Sequence, residues 1–129
     1  MKKEINIMEL GGFLSSEEIL WNMQDAGNLF TGNTTLGVVL TNAGLDKTSL
    51  NKVASMAHNG YARAIRPVHT MADGDSIYAA SVGRVASDVN IVGSLSAYVM
   101  GKAINRAVLA AKGLGGVPAA GEYARAVRD

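Results

Sequence analysis

Thr34, Asp73 and Asp75 are the residues of this 129-residue chain whose types and placement could do chemistry. Thr34 stands in Gly32-Asn33-Thr34-Thr35, directly before the apolar run Leu36-Gly37-Val38-Val39-Leu40. A hydroxyl at the mouth of a strand can attack the carbonyl carbon of Asn33, move the acyl group from nitrogen to oxygen and lose it to water. Thr34 would then be a new chain end carrying nucleophile and base on one residue, because a free α-amine titrates at roughly 7.7–8.0 and can take the hydroxyl proton. The same tetrapeptide also suits a plain turn, since Asn tolerates turn geometry and Thr suits strands.

Asp73 and Asp75 flank Gly74 at the entrance to a second apolar run, so alternation would aim both carboxylates to one side. If the two runs are neighbouring strands, one carboxylate could orient the threonine amine or hydroxyl and the other could meet a substrate ammonium. Taken alone, Asp-Gly-Asp equally fits a turn or a cation-tolerant loop. His58 is expected on the polar side of a helix, at the surface or an interface, and His69 in a loop after Pro67, orienting the Asp73 loop rather than transferring a proton. Arg63 and Arg66 suit a salt bridge or a helix C-terminus, with a substrate carboxylate as the alternative. Two lone histidines make no metal motif, and the chemistry needs no cofactor. Met56, Met71 and Met100 read as core or interface filler.

Composition limits the classes. Hydrophobic residues make up 48% and aromatics 5%, much of the apolar content being Ala, Gly and Val, which suits helices packed closely on a sheet in one domain. Twelve Lys and Arg against eleven Asp and Glu give a net charge of +1, which argues for neither nucleic acid nor an anionic membrane as partner. A mild basic bias toward the C-terminus (Lys102, Arg106, Lys112, Arg125 and Arg128 against Glu122 and Asp129) fits a solvated helix face. With no cysteine, disulfides, thiolate sites and cysteine nucleophiles are excluded. Neither a signal core nor a membrane-spanning apolar run is present, so a cytoplasmic protein is expected.

The elements that must position these residues follow from periodicity. Ser15 or Ser16 before Glu17-Glu18 can start a short helix, and residues 22–32 suggest a loop, where a scissile bond would have to lie. Residues 34–41 predict a strand buried on both faces, ended by Asn42-Ala43-Gly44. Asp46 can cap a helix in which Leu50, Val53, Ala54, Ala57, Tyr61, Ala64 and Ile65 form the apolar stripe, stopped by Pro67. Residues 76–82 predict a second strand ended by Gly83. A long helix is expected from about residue 91 to 112, with Leu95, Val99, Ala103, Ala107 and Ala111 along one side. Gly113-Leu114-Gly115-Gly116 follows a helix, the wrong context for a phosphate loop. Two strands are too few for a sheet buried on both faces, so the chain looks incomplete.

The motifs together resemble the C-terminal portion of the L-aminopeptidase/D-esterase family of N-terminal-nucleophile hydrolases, which includes β-peptidyl aminopeptidases and nylon-oligomer hydrolases. The resemblance runs in order through Gly32-Asn33-Thr34-Thr35, Ala43-Gly44-Leu45, Ala57-His58-Asn59-Gly60, residues 62–70 (Arg-Ala-Ile-Arg-Pro-Val-His-Thr at its centre) and Asp73-Gly74-Asp75. It implies a precursor that cuts itself before Thr34 into a large and a small subunit that stay together in an αββα sandwich. Asn33 would end the large subunit, Thr34 would be the nucleophile, and Asp73 and Asp75 would assist it. Residues 1–33 would be a pre-cleavage leader and residues 34–129 the small-subunit-like part, supplying the strand-helix-strand-helix portion of the sandwich.

Family members carry upstream an Asn that stabilises the oxyanion and, in some, a Lys or Tyr at the site. Residues 1–33 match neither, and one oxyanion donor typically contributes around 10²–10³ in rate. The expected activity is hydrolysis of N-terminal aminoacyl amides, peptides or esters through a Thr34 acyl-enzyme. The expected partner is a large-subunit portion or further copies of the chain. The rival reading is a structural subunit or inactive remnant from a truncated or split gene.

Overall fold

A computed structural model describes residues 15–22, 34–71 and 73–122, in the order α1 (Ser16–Trp21), β1 (Leu36–Ala43), α2 (Lys47–Ala64), β2 (Ser76–Val85) and α3 (Val89–Ala110). Each helix starts where a short polar side chain can accept from an otherwise unpaired backbone N–H. Ser15 Oγ accepts from Glu18 N at 3.3 Å, Asp46 Oδ1 from Ser49 N at 2.8 Å, and Asp88 Oδ1 from Asn90 N at 2.7 Å. Glu17 and Glu18 fall in the first turn of α1, as their charge favours. The second helix ends three residues short of Pro67, because Ile65 is already extended (φ −124°, ψ 133°).

β1 and β2 pair in parallel, Leu36 opposite Ser76 through Thr41 opposite Ser81, with a register shift between Thr41 and Ala43. The second strand does not end at Gly83 but continues to Val85. At that irregularity the backbones converge: a Cβ on residue 83 would lie 2.3 Å from the Asn42 carbonyl oxygen, so the glycine permits the bulge instead of ending the strand. Ser81 Oγ donates to the Ala43 carbonyl at 2.6 Å across the same irregularity.

Both long helices contact each other and the sheet, α2 against β2 and α3 against β1. Ala43, Val53 and Val92 form one buried cluster; Ala57, Tyr61 and Met100 form a second, with Val39 joining both. Val53, Ala57 and Tyr61 lie on the expected stripe of α2 and are fully buried. In α3 the expected stripe is on the wrong side. Its buried residues are Val92, Gly93, Ser96, Ala97 and Met100, while Leu95 and Val99 are exposed. An apolar face exists on both sides of this helix, and periodicity cannot say which one meets α2. Met100 is core and Met56 packs on Gly93, but Met71 is fully exposed.

The largest departure concerns β1. It starts at Leu36 and is buried on one face: Gly37 and Ala43 point inward, while Leu36, Val38 and Leu40, with Tyr78 and Val82 of β2, are between 63% and 75% exposed. A continuous apolar run reads as buried on both sides, and here the second side is open. Beside it, the unpaired edge of β1 and the outer face of α3 enclose an apolar groove of about 340 Å³, whose lining contains no ionisable side chain. Among the described residues no helix is long and apolar enough to cross a membrane.

Gly60 sets the distance between the two long helices. A Cβ there would lie 2.5 Å from the Ala97 carbonyl oxygen and 2.7 Å from Met100 Cβ. Gly60→Val should therefore lower stability by about 1–3 kcal/mol through helix displacement, read as the chemical-denaturation midpoint. An unchanged midpoint would show that the α2–α3 contact is not tight.

Candidate active site

The residue after Thr34 is held by β2 and by the loop between α2 and β2. Thr34 is exposed, and a Cβ on Gly74 would fall 2.6 Å from its hydroxyl oxygen, so only a glycine between the two aspartates lets the hydroxyl lie there. Thr35 is fixed at both ends of its peptide unit. Its N–H donates to Asp75 Oδ1 at 2.9 Å, and its carbonyl accepts from Ser76 N at 3.0 Å. The Tyr61 hydroxyl, 3.3 Å from the Thr35 carbonyl and 3.4 Å from that of Ser76, has one proton to donate between them. It reaches this position under β1 because residue 37 is glycine; a Cβ there would lie 2.6 Å from the hydroxyl. Burial, and then the Asp75 charge, push the Tyr61 phenol above its ordinary value, so it stays a donor.

Asp73 has a different set of contacts. Its Oδ2 accepts from the Thr70 hydroxyl at 2.7 Å and from the Thr70 N–H at 2.8 Å. These two bonds hold its carboxyl below the ordinary aspartate value of 3.8, so the turn they close is intact above that value and is lost as pH falls through the lowered one. The two carboxylates share a cleft of about 220 Å³ with Thr35, Arg66, Thr70 and Ser16. Thus Thr34 lies against Gly74, which stands between the two aspartates in sequence, Asp75 binds the backbone N–H that follows Thr34, and Asp73 binds the loop at Thr70. Asn33 lies outside the described residues. Arg63 sits in the last turn of α2, where its charge suits the helix end.

One of the two histidines departs from its expected place. His69 lies in the loop, as expected, and its ring faces Asp75: its Nδ1 is 3.6 Å from Asp75 Oδ2, and its charge also reaches Asp73. His58 is half-buried rather than on a polar face, its ring 4.6 Å from that of His69 and 5.3 Å from that of Tyr61, both edge-on. Burial first, and then the neighbouring His69 charge, hold His58 below the ordinary histidine value. Tyr61 and the two imidazoles form one ring cluster beneath the site, which sequence reasoning missed apart from placing Tyr61 in the core. The available signal was the three-residue spacing of His58 and Tyr61 on α2; the approach of His69 depends on the loop.

The string around Arg66-Pro67-Val68-His69-Thr70 therefore forms one wall of the site. Arg66, Pro67 and Thr70 line the cleft, and Val68 packs on the core at Tyr61.

Comparison with known proteins agrees with the motifs. Residues 3–120 match the sequence pattern of peptidase family S58. The chain is 36% identical over 119 residues to an uncharacterised aminopeptidase of Mycobacterium leprae (strain TN), covering 81% of this chain and 33% of the relative. It is 35% identical over 101 residues to an uncharacterised aminopeptidase of Mycobacterium tuberculosis (strain ATCC 25618 / H37Rv), covering 67% of this chain and 29% of the relative. A 6-aminohexanoate-oligomer endohydrolase of Paenarthrobacter ureafaciens is 30% identical over 86 residues, covering 57% and 24%. The chain spans about a third or less of the length of these relatives. The match extends over most of the sequence: the chain belongs to peptidase family S58, the family of the L-aminopeptidase/D-esterase enzymes.

Proposed function

We propose that this chain carries the nucleophile-bearing part of a self-processing aminopeptidase or amidase, with residues 1–33 as leader and residues 34–129 as the small-subunit-like part. The observation that carries the reading is the Thr34 hydroxyl lying over Gly74, the residue that separates the two aspartates in sequence, with Asp75 holding the next residue's N–H. In processing, the Thr34 hydroxyl attacks the Asn33 carbonyl, the peptide bond becomes an ester, and water cleaves the ester to an Asn33 carboxylate and a free Thr34 α-amine. In turnover that amine takes the Thr34 hydroxyl proton as the oxygen attacks an aminoacyl amide, peptide or ester. The leaving group departs with the proton, and water resolves the acyl-enzyme. Asp75 would hold the new chain end through Thr35, and Asp73 would fix the loop and face the amine or a substrate ammonium.

The relatives' names, aminopeptidase and oligomer endohydrolase, favour a hydrolase with substrates of this class. The bare apolar sheet face and the groove along β1 fit a sandwich completed by the rest of the family's length, in the same polypeptide or a separate one. That remainder would supply the oxyanion donors and much of the pocket wall.

Two consequences follow for residues 1–129 purified alone. The Asn33–Thr34 bond should stay intact with little or no amidase activity, because the oxyanion donors are missing. The open sheet face should also drive association, seen by light scattering. A monomer that turns over aminoacyl anilides at ordinary rates would overturn both. The function itself is tested by co-producing the chain with the remaining family portion and assaying aminoacyl anilides: turnover supports the enzyme, and an assembled but inert complex supports a structural subunit.

A further inference from the structure

His69 has a backbone conformation uncommon outside glycine, with φ at 59°, the one positive φ outside glycine among the described residues. Its neighbours hold it there. Val68 is packed into the core beside Tyr61, and Thr70 is clamped by Asp73 through both its N–H and its hydroxyl. The ring is stacked on Tyr61 (6.0 Å between centroids, 19° between planes) and meets His58 edge-on. A non-glycine residue kept in this region by its surroundings points to a placed side chain.

The placement brings its Nδ1 to 3.6 Å from Asp75 Oδ2, within reach of an ion pair and too long for a direct hydrogen bond. Asp75 is 6% exposed while the His69 side chain is 38% exposed. The carboxylate thus bridges a solvent-touched imidazole and the part-buried N–H of the residue after Thr34. The other titratable groups around the ring are His58 and Tyr61 from α2 and Asp73 from the loop. His58 has a buried Nδ1 without a hydrogen-bond partner, and its burial favours the neutral ring; of the two imidazoles, His69 is the one whose Nδ1 faces the Asp75 carboxylate.

We propose that His69 is a positioning residue for the nucleophile: as an imidazolium it draws Asp75 Oδ2 into a closed pair, which fixes Oδ1 on the Thr35 N–H and so sets where the Thr34 chain end sits. Its functional meaning rests on Thr34 being the nucleophile; the coupling of ring to backbone does not.

The test is nuclear magnetic resonance of the chain labelled with 15N-threonine. The Thr35 amide and the His69 Cε1–H are followed together across pH. The Thr35 amide should shift with the same midpoint as the His69 ring, in the native chain and in Thr34→Ala alike. His69→Asn, which tolerates the left-handed conformation, should erase that inflection, and Asp75→Asn should shrink it while the His69 ring still titrates. A Thr35 amide that stays flat through the His69 titration overturns the proposal, as does an inflection that survives in folded His69→Asn. If His69→Asn does not fold, Asp75→Asn decides: an undiminished inflection there overturns the coupling.

In the processed enzyme His69→Asn should lower kcat roughly tenfold, with KM little changed and the low-pH limb of the profile displaced. Absence of scission and turnover in every variant would remove the nucleophile reading and leave the resonance result standing, so the two failures are distinguishable.

Discussion

Replacing Thr34 by alanine is expected to abolish scission after Asn33 completely and to cut anilide turnover by roughly 10⁴-fold or more, in the chain assembled with the remaining family portion. Thr34 is exposed, and the contact described for its side chain is with Gly74, so the methyl of alanine removes the hydroxyl without opening a cavity. Thr35 keeps its bonds to Asp75 and Ser76 through backbone atoms that the substitution does not touch. The melting curve should therefore superimpose on that of the native chain. Thr34→Ser, which retains the hydroxyl, should still process. Scission in the alanine variant, or its loss together with the fold, would remove Thr34 from the role given to it.

The second large effect concerns the two aspartates, and their environments separate them. In Asp75→Asn the side-chain oxygen can still accept from Thr35 N–H, and the new amide can turn toward His69, so the geometry has a satisfied alternative. What is lost is the negative charge beside the chain end, and turnover should fall roughly 10²- to 10³-fold with the melt nearly unchanged. In Asp73→Asn the Thr70 turn loses its charge-assisted bonds, so turnover should also fall, through the loop. Circular dichroism against temperature and anilide kinetics on both variants give the comparison. A large drop in melting temperature with activity retained would assign the pair to structure.

Much of this arrangement was legible because it is local. Asp46 announces its helix, the α2 stripe is a clean three- and four-residue repeat, and Asp73-Gly74-Asp75 lies within a few residues of the strand it leads into. What was not legible depends on contacts remote in sequence. Leu36, Val38 and Leu40 are as apolar as residues buried on two faces, and only the layer opposite them distinguishes the cases. Leu95 and Val99 form as regular a stripe as Val92, Ser96 and Met100; the close approach of Gly60 to Ala97 selects the second. Gly83 reads as a terminator until Asn42 is seen against it. His69 meets Asp75 because the loop turns through a left-handed residue, which no periodicity encodes.

The central claim, that this chain carries a latent N-terminal nucleophile at residue 34, is tested most directly by intact mass spectrometry of the chain co-produced with the remaining family portion. The account predicts one new chain end at Thr34, one carboxyl end at Asn33, and neither in Thr34→Ala. A break at another peptide bond, or an unbroken complex that hydrolyses aminoacyl anilides at full rate, would contradict it.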